Sequence, residues 1–157
     1  MVPIPGHSLA QVAVVIDDVC FAADGFFGQR VLNKYGVPYA HDVAAQYASF
    51  DVLMQLSVAQ WIPGHGEAVD RVGLASTMDA NRAAVMHSRD LVLAAIATPQ
   101  TLPATVAAVQ NVLAMPSASV AQYAVFASGI AAYLNWLVAD GAAVAELSDA
   151  GLVWRAV

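Results

Sequence analysis

The 157-residue chain contains a single cysteine, Cys20. One thiol can form no disulfide within the chain, and it rules out a zinc–thiolate cluster. Charge is also scarce. Only 11% of residues are Asp, Glu, Lys or Arg, against about 25% in an ordinary soluble domain. Six of these are basic and twelve acidic, for a net charge of −6. Such a balance disfavours binding to phosphate backbones. Met1 to His7 offers no basic region and no apolar core, so it does not read as a signal peptide. With the lone cysteine, this leads us to expect a cytoplasmic protein. The low charge leaves a bare surface, part of which is expected to face another protein.

No charged residue occurs between Asp90 and Asp140. Prolines at 99, 103 and 116 break that stretch. Its longest unbroken piece, Ser119 to Ala139, has about the 20 residues that a bilayer span needs. It is rich in alanine and holds Gln122, Ser128 and Asn135, so a buried or interface helix is the expectation, with no membrane partner.

Hydrophobic residues make up 59% of the chain, and their pattern sets out the elements. Val12–Ile16 and Val19–Ala23 are short apolar runs joined by Asp17-Asp18, which predicts a hairpin. Both runs are apolar on both sides, which predicts a sheet covered on each face. Residues 25–41 read as irregular, punctuated by Gly25, Gly28, Gly36 and Pro38. Asp42 is a helix cap, followed by apolar residues at helical spacing through Val58. Gln60-Trp61-Ile62 is a strand.

A second section begins near Ser76, where Ser76-Thr77-Met78-Asp79 resembles a helix start. That helix is expected to run to about Ala97. Thr101 caps another through Leu113, and Ser117 or Ser119 a third through Ala139. Ala143–Leu147 and Leu152–Ala156 then form a hairpin around 148–151. Three helices followed by a hairpin resemble a winged-helix unit. From Ser76 onward, Arg82, Arg89 and Arg155 stand against five acidic residues, and the third helix has no basic residue. The section is therefore expected to serve dimerisation or to act as a lid, and not to bind nucleic acid. The domains read as 1–75 and 76–157.

Three short motifs place metal-capable side chains on loops at strand ends. They are Pro5-Gly6-His7-Ser8, Ala23-Asp24-Gly25-Phe26-Phe27 and Pro63-Gly64-His65-Gly66. Rigid strands hold such side chains in fixed relative positions. Singly, each reads as a turn with an incidental polar residue. The three in this order resemble the second half of the metallo-β-lactamase superfamily, over Val2 to about Val69. The resemblance implies an α+β fold, with residues 1–75 forming half of an αββα sandwich. It implies two metals, zinc or iron, with His7 on the first, His65 on the second and Asp24 bridging both. Asp24 is thus also the catalytic candidate, and the implied reaction is hydrolysis of an ester, thioester, lactone, lactam or phosphodiester. His41, Phe26 and Phe27 would stand near the substrate.

The chain departs from the family in lacking its His-x-His-x-Asp-His motif. The only other histidines are His41 and His87, and neither has ligand spacing. Each metal is left with two ligands, fewer than the three of catalytic zinc sites. Two readings follow. In one, the site is completed by a second copy or by a complementary N-terminal half. In the other, the chain is a catalytically silent homologue acting as a structural or protein-interaction module.

Overall fold

The structure, a computed structural model, describes residues 1–149 and 151–157. The chain forms two compact units, Met1–Val85 and Met86–Val157. The first is built on a five-stranded sheet in the order β1 (Val2–Pro3), β2 (Val12–Ile16), β3 (Val19–Ala23), β4 (Gln60–Pro63), β5 (Val69–Asp70). β2 and β3 form the expected hairpin, with Val15 opposite Cys20. Between β3 and β4 the chain makes α1 (Gln29–Tyr35) and α2 (Val43–Gln55), so β4 returns parallel to β3. A parallel return needs a crossover of this kind.

The sheet's two faces differ. Ala13, Cys20, Ala22 and Trp61 share one face and are buried. Trp61 donates its indole N–H to the Leu53 carbonyl of α2, at 3.1 Å. The other face carries Val12, Val14, Ile16 and Phe21, which are 38%, 37%, 57% and 44% exposed. The expectation of a sheet covered on both faces is therefore corrected. Alternate side chains point to opposite faces, and within this chain helices cover only one of them.

α2 begins at its predicted cap, where the Asp42 carboxylate accepts from Ala45 N–H at 2.9 Å. It ends at Gln55, three residues before Val58. α1 corrects the reading of 25–41 as irregular. Gly28 and Gly36 bound a short helix as its two caps, Gly36 with a φ of +67°. The glycines mark helix ends here, not a continuous loop.

The third helix, α3 (Arg71–Ala95), starts five residues before the expected Ser76. Its cap is Asp70, whose carboxylate accepts from Gly73 N–H at 2.8 Å. The Ser76 hydroxyl bonds back to the Gly73 carbonyl inside the helix. The two compact units part within α3, between Val85 and Met86.

The second unit continues through β6 (Gln100–Thr101), α4 (Leu102–Leu113), α5 (Val120–Ala139), β7 (Ala143–Ser148) and β8 (Gly151–Ala156). Thr101 and Ser119 cap α4 and α5 through their hydroxyls. β6, β8 and β7 form a three-stranded antiparallel sheet in that order. A helix, a short strand, two helices and a hairpin follow one another as in a winged-helix unit. Of the predicted 148–151 turn, Ala150 lies outside the described residues. Among the described residues, no helix is long and apolar enough to cross a membrane.

Candidate metal centre

The parallel pairing of β3 with β4 sets Ala23 beside Pro63. The residues leaving these strand ends are Asp24 and Gly64-His65. The β1–β2 loop, which carries His7, arrives at the same edge because β2 runs antiparallel to β3. Sheet topology thus gathers three side chains that are distant in sequence.

His7 Nε2 lies 3.4 Å from Asp24 Oδ2, and His65 Nε2 lies 3.8 Å from Asp24 Oδ1. Each histidine faces its own carboxylate oxygen. Both separations exceed normal hydrogen-bond length. Asp24 Oδ1 is buried and has no hydrogen-bond partner, and His7 Nδ1 is in the same condition. A buried acceptor without a donor costs about 1–3 kcal/mol, and a cation at that oxygen would remove the cost.

Imidazole and carboxylate suit zinc and iron alike, so the donor set fits a metal. Each corner, however, offers one histidine and one carboxylate oxygen. Among the described residues, no group of three or more His, Cys, Asp or Glu side chains is arranged to hold an ion. The two observations agree once the carboxylate is seen to divide its oxygens between the histidines. What the chain presents is two histidine–carboxylate pairs that share Asp24.

The backbone at this edge is crowded, which explains the glycines of the motifs. A Cβ on Gly64 would stand 2.8 Å from Asp24 Oδ1 and 3.2 Å from the Ala23 carbonyl carbon. Gly6, with a φ of +141°, passes so close to α2 that a Cβ would collide with the Gln46 backbone. Its carbonyl accepts from the His41 and Asp42 amides at 2.8 and 3.0 Å, tying the His7 loop to the start of α2.

Three buried polar residues that the sequence reading passed over hold these loops. Ser49 donates to the Pro5 carbonyl at 2.7 Å, and Gln46 to the Gly25 carbonyl at 2.6 Å. Asn81 of α3 clamps Phe27 from both sides: its oxygen accepts from the Phe27 amide at 2.9 Å, and its nitrogen donates to the Phe27 carbonyl at 2.8 Å. The signal for them was a polar residue on an apolar helical face. Buried polar groups of that kind have partners, and here the partners are the motif loops. Tyr39 was also missed. Its ring meets that of His7 edge-on at 5.0 Å, and Phe27 meets the same imidazole at 5.9 Å.

The residues expected near the substrate separate. Phe27 is buried against His7. Phe26 is fully buried in the core, so its expected place at the rim is corrected to a packing role. The His41 side chain is exposed, and its link to the centre runs through its backbone. His87 is exposed on α3, outside this group.

No family model matches the chain, and no curated protein matches it. Solved structures do. A β-lactamase domain protein from Burkholderia ambifaria superposes with a TM-score of 0.74 at 20% identity, over 98% of this chain and 46% of that one. The chain shares the fold of about half of a metallo-β-lactamase protein. A metallo-β-lactamase family protein from Thermus thermophilus gives a TM-score of 0.74 at 16% identity, over 98% of this chain and 48% of that one. The chain therefore spans about half the length of the metallo-β-lactamase structures it matches.

Proposed function

We propose that the chain contributes His7, Asp24 and His65 to a metal-dependent hydrolase, its remaining ligands coming from a second copy of the chain. The observation that carries this reading is the Asp24 carboxylate, with one oxygen toward each histidine and Oδ1 buried without a donor. His7 would hold one zinc or iron ion, His65 the other, and Asp24 both. Bound metal would supply a water acidified to near neutrality and polarise the scissile carbonyl or phosphoryl group.

The chain's own residues fix the frame. Ser49 and Gln46 hold the His7 and Asp24 loops to α2, and Asn81 holds Phe27 against His7. The Phe27 and Tyr39 rings meet the imidazole edge-on and restrict its plane. The substrate bond stands at the level of the superfamily: ester, thioester, lactone, lactam or phosphodiester.

The test is metal content per chain by elemental analysis, with mass by light scattering in the same run. The expected result is a dimer holding about one or two metal ions per chain, lost on Asp24→Ala. Retained metal in Asp24→Ala would refute the bridging role. A metal-free oligomer would favour the second reading, a catalytically silent structural or interaction module. Two ligands per corner and an exposed apolar sheet face support that alternative.

A further inference from the structure

Beside His65 lies a half-open cavity of about 650 Å³, walled by Arg30, Lys34 and Tyr35 of α1 and by Glu67 and Thr77. Its charge is unusual for this chain. Of the four basic residues in the first unit, two are committed elsewhere. Arg71 donates to the Met54, Leu56 and Val58 carbonyls at the end of α2, and its guanidinium stacks on Trp61. Arg82 pairs with Asp51 and Asp79. Among the described residues, Arg30 and Lys34 are the remaining Lys and Arg side chains of this unit, and neither has a carboxylate partner. Lys34 donates to the Tyr35 hydroxyl at 3.1 Å and lies 4.7 Å from the centre of the same ring. They stand four residues apart on one helix, a spacing that sets two side chains on one face.

In a molecule of net charge −6, the uncommitted basic side chains of the unit thus collect on one wall. That wall is shared with a member of the metal centre. Among the described residues that line the cavity, Glu67 is the one carboxylate. A concave wall with an excess of one charge raises the local concentration of the opposite ion.

We infer that this cavity holds the anionic group, a carboxylate or a phosphate, of the substrate whose scissile bond is presented to His7, Asp24 and His65. The assignment rests on the hydrolase reading above. It narrows the substrate to one that carries a negative charge away from the bond cleaved. Arg30 offers a planar fork of donors that fits either oxyanion, and Lys34 adds a second charge on the same side.

The test is an amide NMR titration of the full chain, kept metal-free with a chelator, using inorganic phosphate and, separately, acetate. Saturable shifts are expected at 30–35 and 65–69, and the tighter of the two probes names the oxyanion. An Arg30→Gln, Lys34→Gln double variant should weaken that binding at least tenfold. Both side chains are exposed, so its spectrum should otherwise keep the wild-type dispersion. Glu67→Gln should tighten binding severalfold by removing the opposing charge. Shifts that do not saturate, or equal affinity in the double variant, would overturn the inference. Metal uptake without anion binding removes the cavity assignment alone. Anion binding without metal uptake by the wild type sinks the hydrolase reading, and with it the link between cavity and scissile bond.

Discussion

At Ala23 the backbone turns left-handed, with a φ of +45°, immediately before Asp24. The register of β3 against β4 also shifts between Phe21 and Ala23. Alanine is not a residue that adopts this conformation readily. A left-handed φ costs an L-residue about 1–2 kcal/mol, while glycine gives back about 0.4–1 kcal/mol through the freedom of the unfolded chain. Ala23→Gly should therefore stabilise the protein by a net ~0.5–1 kcal/mol, read as a higher guanidinium midpoint at unchanged slope. An unchanged or lower midpoint would mean that the Ala23 methyl makes contacts worth its strain. The strain sits one residue from the Asp24 carboxylate, and strained backbone is often found in functional sites.

At the scale of the element, the loops are held by helices. Asn81 satisfies both backbone groups of Phe27 and also donates to the Thr77 carbonyl. Asn81→Ala leaves a buried N–H and C=O without partners, at about 1–3 kcal/mol each. A loss of about 2–4 kcal/mol in urea unfolding is expected on that basis, with loosened packing of Phe27 on His7. A loss under about 1 kcal/mol would show that water replaces the amide.

This clamp also marks the limit of what was legible in the sequence. The hairpin at 12–23, the capped starts of α2, α4 and α5, and the closing hairpin followed from local spacing and cap residues, which are local physics. The three motif residues were legible as a set because each sits in a proline- or glycine-bearing loop at a strand end. Their meeting at one carboxylate followed from the family resemblance and was not legible in local spacing, because it depends on which strands pair and in which direction. Nor were Gln46, Ser49 and Asn81, since a polar residue on an apolar helical face reads alike until its backbone partner is known. α1 was missed because its capping glycines resemble loop punctuation. α3 was started late because Gly73 masked a first turn that Asp70 caps.

At the scale of the whole molecule, the exposed face of the sheet is the energetic fact that a single chain leaves open. Val12, Val14, Ile16 and Phe21 lie on one face of adjacent strands, with no charged residue among them. Contiguous apolar surface on this pattern marks an interaction site. Two-fold self-association is the commonest way to cover such a surface, and an uncharged face is compatible with its own copy. Covering it would also wall the strand-end edge where Asp24 stands, and bring a second set of His7, Asp24 and His65 into the assembly. We predict a dimer at micromolar concentration that Ile16→Lys with Phe21→Lys converts to monomer, since each lysine would be buried unpaired at the interface. Both positions are exposed in the single chain, so circular dichroism should stay at the wild-type value while mass by light scattering halves. A wild-type chain that runs as a clean monomer would remove the second copy as the source of the missing ligands. The search would then move to a separate polypeptide carrying the complementary sheet. A dimer that survives both lysines would place its interface elsewhere and leave this face to another partner.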